Sequence, residues 1–534
     1  MKNDLYGMIG IVTSIFVFGC SSAVIASSNP EIDPAAFDAI ARSQYEVKKM
    51  LASGDSPYEV RVHAPEVASQ IRDRYDSVEL ARLRSFFRPI TSIRVNSDGL
   101  VQAADRPESG EEDSTHYDAI WVRDSLWAYL ALSGDRATRA DGTRVLKKML
   151  AYLASDAQRA RMAAVIQDPR VLDGPDGAMS AIHIRFDGRS PVFADVHVNG
   201  QPERWNHKQN DAVGLLFDLA LRALETGEIA QSELTPSEWE ALASLPTYFS
   251  RIRFDEMADA GPWEEIDRVN SSSIGLVTSS LEQLQRLMTG RHPRSVAVAQ
   301  KLRAAAARVG RSDGLTAEFI ARLVDQGYAR VFKQLDAGGE SPLYSPSDIR
   351  YRTADAALLN LIYPARLSRL TLKRKRSVLQ LVEPLIGEAG IRRYARDSYQ
   401  GGNFWLLPPA TDTGPTGDAS AEDQFKRRAE QLIPGTEAQW FFDSWVSVAA
   451  GEIYRESKNP GDRKLQLKHF NRALGQITSP VLGADGKAVP KLALPESYNT
   501  IVSADRRVFA PSPITPLNWA KACLTLAERS LSRR

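Results

Sequence analysis

The sequence predicts an all-helical fold, on three observations. About a dozen segments after Tyr117 repeat apolar residues at helical spacing, almost none alternates as a strand does, and no fixed-period repeat runs through them. Helices that each bury one stripe must pack on one another, which makes helix-on-helix layers the expected architecture. With 534 residues, 43% hydrophobic and 25% charged, the chain is globular and long enough to bury a large core. A formal net charge of +1 leaves no bulk field that would draw nucleic acid.

Taken in order, the chain opens with Lys2 before an apolar run from Met8 to Phe18, too short to span a bilayer but suited to the core of a secretory signal. The run ends in Val-Phe-Gly-Cys followed by Ser21 and Ser22, which resembles the bacterial lipoprotein cleavage box. That resemblance implies that residues 1–19 are a signal peptide and that Cys20 becomes the lipidated first residue of the mature chain. It places the protein in the cell envelope, touching membrane only through the anchor. Residues 20–34 are polar and Pro-bearing, as a tether is. The other cysteine, Cys523, lies in an apolar helical pattern and reads as core.

Residues 35–116 read as a segment that packs on the main domain, with helices over 35–53 and 64–87 and a short strand over 91–96 turned by Asp98-Gly99. An acidic loop over 103–115 follows. Residues 117–534 read as one helical domain. Helical spacing covers 144–166, 211–225, 236–251, 272–288, 293–309, 316–335, 355–362, 372–386, 421–433, 438–454, 463–477 and 516–530. The loops between these segments hold or border most of the tryptophans, and the one over 407–417 is richest in breakers.

Those loops carry the chemistry. Gly261 to Ser273 reads Gly-Pro-Trp-Glu-Glu-Ile-Asp-Arg-Val-Asn-Ser-Ser-Ser, setting Glu264 and Glu265 beside the indole of Trp263. An apolar ring against a carboxyl favours its protonated form, which a general acid needs, although acids at a helix start also simply oppose the dipole. Asp118-Ala-Ile-Trp-Val-Arg-Asp-Ser125 gathers Trp121, Arg123 and Asp124 just before an apolar helix. A guanidinium fork donates to hydroxyls, a carboxylate accepts from two, and an indole covers the apolar face of a sugar; a structural ion pair is the alternative. Trp205-Asn-His-Lys-Gln-Asn-Asp211 precedes a helix, with Asp211 placed to cap it. Arg393-Tyr-Ala-Arg-Asp-Ser-Tyr399 runs on to Trp405, with Arg396 and Asp397 placed to pair on the surface. Glu437-Ala-Gln-Trp-Phe-Phe-Asp-Ser-Trp445 opens an apolar helix, and Leu494-Pro-Glu-Ser-Tyr498 holds an isolated loop carboxylate, Glu496. No His or Cys cluster has metal-ligand spacing, so neither metal nor cofactor is expected.

The order of these motifs, Trp-x-Arg-Asp, Trp with Gln-x-Asp, Trp-Glu-Glu with Asn-x-Ser-Ser, Arg-Tyr-x-x-Asp-x-Tyr, then Glu before Pro-Leu-x-Trp-Ala, resembles glycoside hydrolase family 15, the glucoamylase family. Trp205-Asn-His-Lys-Gln-Asn-Asp-Ala, Asp355-Ala-Ala-Leu-Leu and Arg396-Asp-Ser-Tyr are similar to the glucoamylase-like domain of phosphorylase kinase alpha and beta subunits and their bacterial relatives. The resemblance implies an (α/α)6 barrel of six helical hairpins with a short N-terminal extension in place of the β-sandwich that bacterial members often carry. It puts Glu264 where the family has its general acid and Glu496 where it has its general base. Arg123 and Asp124 match the pair that grips the non-reducing glucose, and Trp121, Trp205 and Trp263 match pocket indoles. Glu265 matches a carboxylate beside the leaving group, and Arg393 a sugar-binding arginine. Either Trp405 or Trp440 fits the remaining indole, and Trp440 is our choice. Asp267-Arg-Val lengthens the step after Glu-Glu and bears on where Glu265 points.

The expected activity is therefore inverting, exo-acting hydrolysis of α-glucosidic bonds from the non-reducing end of α-gluco-oligosaccharides, releasing β-glucose from a monomeric enzyme. An α,α-trehalase or a dextran- or isomaltose-acting exo-glucosidase of the same family is the first alternative. A lipid-anchored carbohydrate-binding protein without catalysis is the second.

Overall fold

The computed structural model describes residues 32–52, 57–105, 117–190, 192–407 and 421–532. The signal peptide, Cys20, nearly all of the tether, most of the acidic loop and residues 408–417 of the breaker-rich stretch fall outside them.

Six segments close into an inner ring: Val122–Ser133, Asn210–Thr226, Ser271–Thr289, the 3₁₀ helix Ala356–Leu361, Asp443–Ser457 and Asn518–Ser532, the last packing back on the first. Arg139–Leu153, Ala317–Ala337, Leu372–Val382 and Pro460–Gly475 each pack on the inner segment before them. Pro236–Arg251 lies between Arg139–Leu153 and Pro293–Arg308, and Ser77–Phe87 packs on Asn518–Ser532. The result is the all-α toroid of helical hairpins. Residue character follows position: every residue of the second inner helix from Asn210 to Leu224 is buried, whereas the outer Ala317–Ala337 buries a single face. One continuous apolar cluster fills the space between the rings and runs under the ring's mouth.

Inner helices approach so closely that glycine is required at the contact. A Cβ on Gly214 would stand 2.8 Å from the Val277 backbone nitrogen. Gly214→Ala is therefore expected to cost about 1–3 kcal/mol, read as a lower midpoint in chemical denaturation, because backbone cannot step aside as a side chain can.

Helix boundaries with strong local chemistry lie where the pattern puts them. Thr235-Pro-Ser-Glu238 forms a capping box at the start of Pro236–Arg251, and Thr371 caps Leu372–Val382. Other elements differ. The expected 35–53 helix ends at Ser43, and Val47–Leu51 pairs antiparallel with Tyr58–Val62. The alternation of that hairpin is too short to stand out in the sequence, but its buried side chains Tyr58, Val60 and Val62 pack on Pro460–Gly475. The expected second helix is divided into Pro65–Ala68 and Ser77–Phe87. No strand forms over 91–96, although Gly99, at φ 82°, does turn the chain. The 144–166 pattern is split at Ala154 and Ser155 into Arg139–Leu153 and Asp156–Gln167, and 355–362 winds as 3₁₀ rather than α. The 438–454 helix starts only at Asp443, because Gln439–Trp440 is a strand beside Ser497–Ser503, itself paired with Arg506–Pro511. Cys523 is buried in the last inner helix. Among the described residues, no helix is long and apolar enough to cross a membrane.

Candidate active site

The inner segments begin at one end of the toroid, and the loops that lead into them line a cavity of about 130 Å³. Trp121, Arg123, Asp124, Trp205, Trp263, Glu264, Glu265, Arg393, Trp440 and Glu496, the ten residues singled out from the sequence, all line it. Trp405 does not belong to that lining; it packs against Phe404 at 5.2 Å.

Arg123 and Asp124 lie in the first turn of Val122–Ser133, inside the helix rather than before it. The guanidinium donates through Nε to Asp211 Oδ2 at 2.6 Å, through Nη1 to Glu264 Oε1 at 3.0 Å, and through Nη2 to Gly261 O at 3.3 Å and to Gln209. Asp211 thus anchors Arg123 and is not the cap of its helix, whose N-cap position is Gln209. Burial pushes Asp124 up to about 7, with Arg123 opposing the rise and Glu264 adding to it.

The Gly261–Trp263 3₁₀ turn ends on Glu264, which adopts the left-handed conformation at φ 58°. A non-glycine residue there costs about 1–2 kcal/mol, and the loop around it is tied to hold it. Asp259 pairs with Arg268 through backbone hydrogen bonds, and Asn270 Nδ2 donates to the Asp259 carbonyl at 3.0 Å and its carboxylate at 2.8 Å. The kink sends adjacent carboxylates apart. Glu264 accepts from Arg123 and from Trp121 Nε1 at 3.3 Å. Glu265 accepts from Arg393 Nη2 at 2.7 Å and Tyr394 Oη at 2.6 Å, with Arg268 at 3.5 Å and Arg352 at 3.6 Å. Burial opposes its ionised form, but Arg393, Arg352 and Arg268 outweigh that and hold it below the usual carboxylate range. Glu265 is therefore already engaged by side chains of the wall. The longer Asp267 step is absorbed by Asn206, whose Nδ2 donates to Asp267 at 2.7 Å, and by an ion pair with Lys208.

Trp263 is not the contact partner that the sequence suggested for Glu264. Its indole donates to Asp355 at 2.8 Å and its ring packs on Phe442 and Trp519, making part of the cavity floor. Arg393 is fixed by Asp397 through two bonds of 2.6 Å, so Asp397 serves Arg393 and not Arg396.

Glu496 reaches the same cavity from a different loop, directly before strand Ser497–Ser503. Because Ser497 pairs with Trp440, the same sheet sets both residues in the wall. Glu496 accepts from Tyr117 Oη at 2.7 Å and from Gln400 Nε2. Burial raises its pKa to about 7, although the hydrogen bonds from Tyr117 and Gln400 and the charge of Arg393 favour the ionised form. No hydrogen bond joins Glu264 to Glu496 among the described residues; each carboxyl has its own set of partners.

Sequence reasoning missed Tyr117, Gln400, Arg185 and Glu203. Tyr117 sits at the edge of the first motif, four residues before Trp121, and Gln400 directly follows Tyr399, so proximity to motifs was their one signal. Arg185 and Glu203 flank a short hairpin with no periodic pattern at all. Among the described residues, no group of three or more His, Cys, Asp or Glu is arranged to hold a metal ion.

No protein-family model matches the chain. A wild-type glycosidase structure aligns over 86% of this chain and 99% of its own at 18% identity and a TM-score of 0.50. A Saccharomycopsis fibuligera glucoamylase aligns over 85% of this chain and 95% of its own at 14% identity and a TM-score of 0.47. The toroid thus has the fold of that wild-type glycosidase structure. In sequence, the uncharacterized lipoprotein YgeQ of Escherichia coli is 36% identical over 207 residues, 38% of this chain and 78% of YgeQ. The putative protein YgeP of the same organism is 46% identical over 103 residues, 19% of this chain and all of YgeP. On that identity and coverage, the chain belongs to the family of YgeQ and YgeP.

Proposed function

We propose that the protein is a glycoside hydrolase, and more specifically an inverting, exo-acting one that removes glucose from the non-reducing end of an α-linked gluco-oligosaccharide. The observation that carries this reading is the pair Glu264 and Glu496, contributed by distant loops to one indole-walled cavity and held by separate partners. In the proposed reaction, Glu264 delivers a proton to the glycosidic oxygen as the C1–O bond breaks. Glu496 takes a proton from the water whose oxygen bonds to C1 on the opposite face, so the anomeric centre inverts. Arg123 and Asp124 would receive the outer hydroxyls, and Trp121, Trp205, Trp263 and Trp440 the faces of the ring.

Maltose, isomaltose, α,α-trehalose and maltooligosaccharides, followed by NMR, test the reading. From maltooligosaccharides of three or more units the freed glucose should appear first as the β-anomer; initial α-glucose from these rules out inversion, and turnover of none of the panel rules out the activity. Fastest turnover of trehalose or isomaltose would select the alternative specificities.

The pH profile has a defined sign. A base must be ionised to work, and burial raises Glu496 to about 7, so kcat/KM should fall tenfold per unit as pH drops below about 7. A profile flat from pH 7 to 5 contradicts the role. We also propose that Cys20 carries the lipid anchor, in keeping with the lipoprotein name of YgeQ. Cys20→Ser should release the protein from the membrane fraction.

A further inference from the structure

The wall beside Glu264 contains a buried ion pair that the proposed chemistry does not use. Arg185 lies on the two-residue strand Arg185–Phe186, directly opposite Trp121 in the pairing with Ile120–Trp121. Its guanidinium carbon stands 4.7 Å from the Trp121 ring centroid and 4.3 Å from that of Trp205. The two indoles meet edge to face, with centroids 6.3 Å apart and planes at 76°. Nη1 is 2.7 Å from Glu203 Oε2, and the Arg185 side chain is only 3% exposed. A planar cation against two ring systems, itself pinned by a carboxylate, restricts rotation of both rings.

Trp121 is the ring that matters. An indole has one donor, and its aim is set by the plane of the ring. Here that donor goes to Glu264 Oε2 at 3.3 Å, while Arg123 holds the other oxygen at 3.0 Å. The orientation of the Glu264 carboxyl therefore depends on the orientation of Trp121. We propose that the Arg185–Glu203 pair is a positioning device for the acid: it fixes Trp121 so that Glu264 is held in line for proton delivery to the leaving oxygen. The inference rests on the hydrolase reading of the same cavity. It makes Arg185 and Glu203 positioning residues, acting through Trp121 on a single step, departure of the leaving group.

That step can be isolated. Maltose departs with a poor leaving group that needs a proton, whereas fluoride leaves α-glucosyl fluoride without one. Glu264→Gln calibrates the assay, since loss of the acid should lower kcat with maltose far more than with the fluoride. Arg185→Ala, measured in the full chain, is expected to lower kcat with maltose about tenfold or more while kcat with the fluoride stays within about threefold. Arg185→Lys keeps the charge but lacks the planar guanidinium that contacts both rings, and should show the same selectivity. It carries the test if Arg185→Ala does not fold. Glu203→Gln should follow in the same direction. Equal losses on both substrates in the Arg185 variants, with Glu264→Gln still selective, overturn the positioning role and leave the hydrolase reading intact. A wild-type protein that turns over neither substrate sinks both.

Discussion

Glu496→Gln and Glu264→Gln are each expected to lower kcat on the best α-glucoside by about 10²- to 10⁴-fold, the usual contribution of one positioned acid or base. At Glu496 the change should leave the fold intact. The amide oxygen can accept from Gln400, and the Tyr117 hydroxyl can turn from donor to acceptor to meet the new NH₂. The amide cannot take a proton from water, so binding survives and turnover does not. Steady-state kinetics beside a denaturation curve separate the outcomes, and unchanged kcat in a folded Glu496→Gln protein would remove it as the base. At Glu264 the amide still accepts from Arg123 or Trp121 but has no acidic proton to deliver. A folded variant with wild-type turnover on maltose would assign the acid elsewhere.

Arg393→Ala should be the most damaging change to stability, at about 3–5 kcal/mol. The side chain is buried and satisfies two carboxylates at once, Glu265 at 2.7 Å and Asp397 at 2.6 Å. Removing it leaves Asp397 with a backbone bond from Tyr399 and, for opposite charge, only the influence of Arg352. Burial already raises the Asp397 pKa, with Arg393 the largest opposing influence, so the variant isolates a desolvated carboxyl. Glu265 keeps Tyr394, Arg352 and Arg268 and should suffer less. Equilibrium unfolding in urea measures the loss. A value under about 1 kcal/mol would mean that water or a neighbour replaces the guanidinium.

Helical spacing and end signals were legible in the sequence because both are local properties. Thr235, Pro236 and Glu238 specify a helix start within four residues, and a long inner helix such as Asn210–Thr226 announces itself by apolar residues on every side. The chemistry-bearing motifs were legible for the same reason, as clusters of charge and indole at those starts. Short strands were not: Val47–Leu51 and Gln439–Trp440 are stabilised by partners far along the chain, Tyr58–Val62 and Ser497–Tyr498, which local spacing cannot reveal. Neither were Arg185 and Glu203, whose significance lies in what they touch. By itself, then, the sequence determined the helical class, most helix positions and the residue types at the mouth of the ring. Only the tertiary structure decided that Glu264 and Glu265 turn away from each other, that Trp440 and not Trp405 faces the cavity, and that Asp211 holds Arg123 rather than capping a helix. Side-chain direction depends on one backbone angle at Glu264, and partner choice on contacts between distant segments, and neither is written in local spacing.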